Sequence, residues 1–311
     1  MTDLHDSPDE SIRPFCVPIS APLAQASAEV LRTFRALADK ATIDLGEINT
    51  GSSFGREVEA LTALPGAPEK EARRGLHALA VDAGQLTWAH AVDHVRALEH
   101  DVLMDPPPVW SPLALARVVL EGFTFTHHLY DPSISLAQRL ARAASLDGQA
   151  GRNVKAASIA FGPEEQAGAL RRLADAEAMV LTAGAVPRRA GQKRKVIGYE
   201  IDGEYAPLNH GITDQSRLLL PDWAAGSYPL LSGAAHGRPW MIARARSASG
   251  WNGEAATVLA AVTTVLGALE SAVATFGGYF NTDIGAVQAE LADVRMAFLH
   301  RSFALTYASS P

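Results

Sequence analysis

Apolar residues recur along most of this chain at spacings of three and four. Val30, Phe34, Leu37 and Ala41 fall on one face of a helix starting near Pro22. A segment punctuated by Gly51, Gly55, Pro65, Gly66 and Pro68 reads as a loop, followed by a long helical pattern from about 69 to 104 that stops at Pro106-Pro107-Pro108. The next helix, about 112–130, is apolar nearly all round, which predicts a central position. Asp131-Pro132 predicts an N-cap and first helical residue for a helix reaching Phe161, with Gly148 and Gly151 as a break, and Gly162-Pro163-Glu164-Glu165 opens another that ends near Gly184.

The stretch 185–222 is irregular, with a hairpin over Tyr199–Tyr205 that turns at Asp202-Gly203. Short helices at 212–219 and 223–236 and two longer ones at 253–280 and 283–306 complete the pattern. The fold class is therefore an all-α helical bundle with a small hairpin insertion around 185–222. Residues 1–20 read as a disordered tail and 21–308 as a single helical-bundle domain.

Composition narrows the classes. Of 311 residues, 48% are hydrophobic and 20% charged, enough to bury a core, and the net charge of −7 is the wrong sign for broad electrostatic capture of nucleic acid. Arg188-Arg189 with Lys193-Arg194-Lys195 is one local basic run, more simply an exposed loop than a phosphate contact. One cysteine, Cys16, excludes an internal disulfide or a Cys-rich zinc site. Asp3, Asp6, Asp9 and Glu10 precede the first apolar run, so no secretory leader is expected. The uncharged stretch from Ala255 to Leu269 is too short to span a bilayer and reads as a buried core helix. These features predict a soluble cytoplasmic protein with no membrane partner.

Chemistry concentrates in a few places. Arg117 and Glu121 are the only charges of the 112–130 helix, and their spacing stacks them on one face. They form either a register-fixing ion pair or the wall of an internal polar pocket. Tyr228, Ser232 and His236 lie on one side of a short helix that Gly237 terminates, and His236 reads equally as a helix cap or as an acid–base group. No Gly-x-Ser-x-Gly elbow, phosphate loop or dinucleotide fingerprint is present, and no cofactor is expected. His90, His94 and Asp101 share a helical face like half a metal site, although the pattern is common by chance. His127-His128 reads as a helix end near solvent, and Arg139 and Arg142 as surface arginines, with anion binding the minority option.

The ordered set Asp93-His94, Ala116-Arg117-Val-Val-Leu-Glu121, Leu129-Tyr-Asp131-Pro132, Arg139-x-x-Arg142 and Tyr228-Pro-Leu-Leu-Ser232-Gly-Ala-Ala-His236-Gly237 resembles a group of all-helical actinobacterial proteins whose activity is uncharacterised. The likeness covers about 85–240. Through that group the chain resembles, more loosely, the HEPN (higher eukaryote and prokaryote nucleotide-binding) helical domains. That resemblance implies metal-independent acid–base chemistry on a nucleotide or RNA phosphate, carried in a homodimer by an Arg-x4–6-His motif on a late helix. Arg295 and His300 match the spacing, with Met296 where the family places a polar residue. The expected catalytic set is Arg117, Glu121 and His236, with Asp93, His94, Arg142, Tyr228 and Ser232 binding ligand. The alternatives are a non-catalytic interaction module and a helical-bundle metalloenzyme.

Overall fold

The computed structural model describes residues 19–41, 51–106, 108–191, 195–224, 226–242, 246–247, 250–251 and 254–307. The tail expected over residues 1–20, and with it Cys16, lies almost wholly outside the described residues.

The bundle is built around its most apolar helix. Of the major helices, α1 spans Ala21–Lys40, α2 Ser53–Ala63, α3 Ala67–Asp101, α4 Ser111–Tyr130, α5 Leu136–Ser158 and α6 Pro163–Thr182. Three short helices follow a small sheet: α7 (Ile212–Leu219), α8 (Ser227–Ala235) and α9 (Pro239–Ile242). The chain then closes with α10 (Ala255–Phe280) and α11 (Gly285–Tyr307). Val258, Val262, Val265, Leu266, Leu269 and Val273 of α10 are fully buried, and the helix packs against α4, α1, α11 and α2. By length and composition alone α10 could cross a membrane, longer than the fifteen-residue uncharged stretch suggests, but two thirds of its apolar window is buried within the protein. Glu270, which interrupts that stretch, is paired with Arg295 at 2.7 Å.

Helix α3, about 50 Å long at 1.5 Å per residue, packs along α4. Glycines set their closeness: a Cβ on Gly122 would lie 2.9 Å from that of Ala91, and one on Gly84 would lie 2.4 Å from the Tyr130 ring. The bundle's centre is aromatic, with Trp88, Phe123, Tyr130, Phe276, Tyr279 and Phe280 in successive tilted, edge-on and, for Tyr130 with Tyr279, stacked contacts.

Most predicted elements are present, with four differences. The glycine- and proline-rich segment contains helix α2, capped by Ser52, whose Oγ accepts from the Gly55 amide. Helix α5 begins at Leu136, not at Pro132. Ser135 is its N-cap, while the Asp131 carboxylate accepts from the Ser133 amide and hydroxyl and so holds a turn. Gly148 and Gly151 do not break α5, and the insertion is a three-stranded antiparallel sheet. Its strands are β1 (Val186–Ala190), β2 (Lys195–Ile201) and β3 (Glu204–Pro207), in that order. The expected hairpin is β2–β3, with Asp202 and Gly203 both at positive φ, the geometry of a tight primed turn. Asp202 ties the turn back to α3 through a two-pronged pair with Arg73, at 2.6 and 2.9 Å.

Candidate functional site

Positions 228 and 236 lie two helical turns apart, and both side chains reach α4, against which α8 packs. The Tyr228 hydroxyl donates to Glu121 Oε1 at 3.2 Å. Arg117 Nε donates to the same oxygen at 2.7 Å, and its Nη1 lies 2.8 Å from His236 Nε2. A guanidinium can only donate, so His236 Nε2 accepts and carries no proton in this arrangement. Helix α8 ends here because Gly237 adopts φ +59° and closes the turn, with its amide on the Ala234 carbonyl and that of Arg238 on Gly233. Ser232 lies one turn before His236, half-buried, and offers its carbonyl to the His236 amide.

The cluster is more open than an internal pocket: His236 is exposed, and the side chains of Arg117 and Glu121 are 17% and 34% exposed. Burial works against the Arg117 charge, but the hydrogen bond and charge of Glu121, with Tyr228, outweigh it and hold the guanidinium charged more firmly than usual. Its Nη2 has no protein acceptor among the described residues. The site therefore offers a fixed cation with a spare donor, a neutral imidazole beside it and a carboxylate that orients the cation.

The other predicted residues lie elsewhere. Asp93 pairs with Arg96 on the exposed side of α3, and His94 Nδ1 contacts the His90 carbonyl. The His90 and His94 ring centroids lie 4.3 Å apart at a tilt of 49°, but Asp101 is engaged by the Ser111 hydroxyl, and among the described residues no group of three or more potential ligands is arranged to hold a metal. Arg295 pairs with Glu270 and covers the Trp223 ring, while His300 is exposed on the same helix. The basic run forms β1 and the start of β2, where Arg188 pairs with Glu200; residues 192–194 lie outside the described residues.

Two expectations of exposure are overturned. Arg139 is 0% exposed. Its Nε donates to Glu57 at 3.0 and 3.1 Å, its terminal nitrogens take the Leu129 and Asp131 carbonyls, and its guanidinium lies 4.2 Å over the Tyr279 ring. Glu57 also accepts from the Tyr279 hydroxyl at 2.7 Å and contacts His77 Nε2 at 3.0 Å. Burial alone would raise the Glu57 carboxyl; the His77 bond, the Arg139 charge and the Tyr279 bond together hold it below the usual carboxylate range. An arginine escapes solvent here because every donor group finds an acceptor. His128, placed near solvent from the sequence, is 8% exposed and stacks on His210, with Arg142 donating to its carbonyl. Its neighbour His127 is held by Thr275 at 2.7 Å.

Glu57 lies in α2, a helix masked by the glycines and prolines around it, so the partner shared by His77 of α3 and Tyr279 of α10 is not visible in the sequence. The spacing Phe54–Glu57–Leu61 behind a serine cap is the signal that marks α2. No family model matches the chain, and no curated protein or solved structure does either.

Proposed function

We propose that the Arg117–Glu121–Tyr228–His236 cluster binds a phosphate of a nucleotide or RNA and carries out acid–base chemistry on it. One observation carries the reading: a guanidinium with a spare Nη2 donor lies 2.8 Å from an imidazole nitrogen whose lone pair it alone occupies among the described residues. An entering phosphate takes Arg117 Nη1 and Nη2 as a two-pronged pair and frees His236 Nε2. In RNA cleavage that nitrogen removes the 2′-hydroxyl proton, the O2′ attacks phosphorus, Arg117 neutralises the charge of the phosphorane, and the departing 5′ oxygen takes a proton from solvent. Glu121 and Tyr228 position the guanidinium. The resemblance to HEPN domains supports this reading and extends it to a homodimer.

The test is a cleavage assay on single-stranded RNA with His236→Ala, paired with thermal melting. The proposal predicts loss of activity with little change in Tm. A large loss of stability, or unchanged activity, contradicts it.

The 2.7 Å Arg117–Glu121 pair favours a second reading, an interaction module in which the pair only fixes helix register. Replacing both residues with apolar ones is then nearly neutral for folding and for partner binding.

A further inference from the structure

Gly237 turns the chain back at the end of α8. Its positive φ and the 2.9 Å bond from the Arg238 amide to the Gly233 carbonyl fold the next residues onto α8, where Pro239 starts α9. That brings Trp240 against Gly233. A Cβ on Gly233 would lie 2.5 Å from Cζ2 and 2.9 Å from Cη2 of the indole, so the ring rests on the helix backbone and only glycine leaves it room. The rest of the ring is bare. Trp240 is 53% exposed, and among the described residues no aromatic ring or cation covers it. Trp223 is exposed to a similar degree, at 46%, but lies under the Arg295 guanidinium at 5.2 Å.

Gly233 and His236 are three apart, so they are neighbours on one helix face, about 5–6 Å between Cβ positions. The indole therefore stands about one helical turn from the imidazole that Arg117 contacts at 2.8 Å. Between His236 and Trp240 the chain carries Arg238, exposed and with no ion-pair partner among the described residues. Two arginines, Arg117 and Arg238, against the one carboxylate of Glu121 leave a surplus of positive charge. An anion fits that balance, and an anion with a flat apolar part fits the bare indole as well. A nucleotide has both, held apart by one ribose, which spans a gap of this order. A duplex keeps its bases stacked inside, so the flat part comes from a free nucleotide or a single strand.

We propose that Trp240 is the base-stacking platform of the Arg117 site, so that its ligand is an unpaired nucleotide, free or within a single strand, rather than a phosphate alone. This rests on phosphate binding at Arg117 and assigns the part of the ligand that adds affinity beyond the phosphate.

The probes are adenosine monophosphate and ribose 5-phosphate, which share sugar and phosphate and differ in the base. Both are titrated calorimetrically into full-length wild type, Trp240→Leu, Trp240→Phe and Arg117→Gln, with melting of each protein. Wild type is expected to bind the nucleotide roughly tenfold more tightly than the sugar phosphate, the increment of one stacked base and equivalent to about 1.4 kcal/mol. Trp240→Leu keeps an apolar contact with Gly233 but has no π face. It is expected to bring the nucleotide down to the affinity of ribose 5-phosphate and to leave ribose 5-phosphate unchanged. Trp240→Phe is expected to recover part of the preference, and Arg117→Gln to weaken both ligands while keeping their ratio. Equal affinity of the two ligands for wild type, a preference kept in Trp240→Leu, or a parallel weakening of both ligands there overturns the platform and leaves the phosphate site standing. Affinities untouched by Arg117→Gln, or no binding of either ligand, overturn the phosphate site and the platform with it.

Discussion

Arg139 and Glu57 carry opposite charges into the centre of the bundle, and their worth lies in being complete. Arg139 serves three carbonyl or carboxylate groups and Glu57 receives from three side chains, so removing either strands the rest. Arg139→Ala is expected to cost about 3–5 kcal/mol in urea unfolding. The double replacement Glu57→Leu with Arg139→Met is expected to cost clearly less than the sum of the two single changes; additive losses would contradict the coupling. His128 makes a second residue-scale prediction. Burial first, then Arg142 and His210, push its pKa from 6.5 down to about 3, and His127 and His210 are lowered in the same direction, with Asp131 the opposing charge near His128. A lowered histidine binds its proton more readily when unfolded. Its contribution is thus full above pH 6.5 and is lost as pH falls toward 3, by at most about 1.4 kcal/mol per pH unit for each group. Glu57 adds a loss in the same direction below its ordinary value of 4.5. The urea midpoint should therefore begin to fall below pH 6.5, before carboxylates titrate, and His128→Phe should flatten that slope; a midpoint constant down to about pH 5 would contradict this.

At the level of elements, the tight seam between α3 and α4 depends on the absence of two side chains. Gly84→Ala would drive a methyl into the Tyr130 ring, whose hydroxyl is bonded to the Val81 carbonyl, so that the ring has little room to retreat. A loss of about 1–3 kcal/mol is expected by thermal melting, and an unchanged Tm would show that the seam can yield. Elements were legible in the sequence where periodicity was long: α1, α3, α4, α10 and α11 all lie where their apolar spacing puts them. They were illegible where local chemistry was ambiguous. The glycines and prolines around α2 masked an eleven-residue helix, and Asp131-Pro132 mimics a helix start that Ser135 supplies. Strand β1 pairs only with β2, and its burial does not alternate in a pattern that would mark it from sequence. The site shows the same split. Arg117–Glu121 and Tyr228–Ser232–His236 could each be read within one helix, and their meeting is geometry that no local pattern contains. Arg139 was misplaced because its carboxylate partner is 82 residues away, in the helix the sequence concealed.

Over the whole molecule, polar chemistry is sorted by depth. The Glu57–His77–Arg139–Tyr279 network is sealed among α2, α3, α5 and α10, while Arg117, Glu121, Tyr228 and His236 meet where α8 covers α4 and open toward solvent. The first set can position helices but cannot meet a solute; the second can do both. That contrast places the proposed activity in the second set. The most direct measurement is calorimetric titration of a nucleoside monophosphate into wild type, Arg117→Gln and Arg139→Met, with melting of all three. The account predicts saturable binding to wild type, a loss of roughly tenfold or more in Arg117→Gln with little change in Tm, and in Arg139→Met a lowered Tm with affinity retained in the folded fraction. No binding to wild type, or equal affinity in Arg117→Gln, would contradict it.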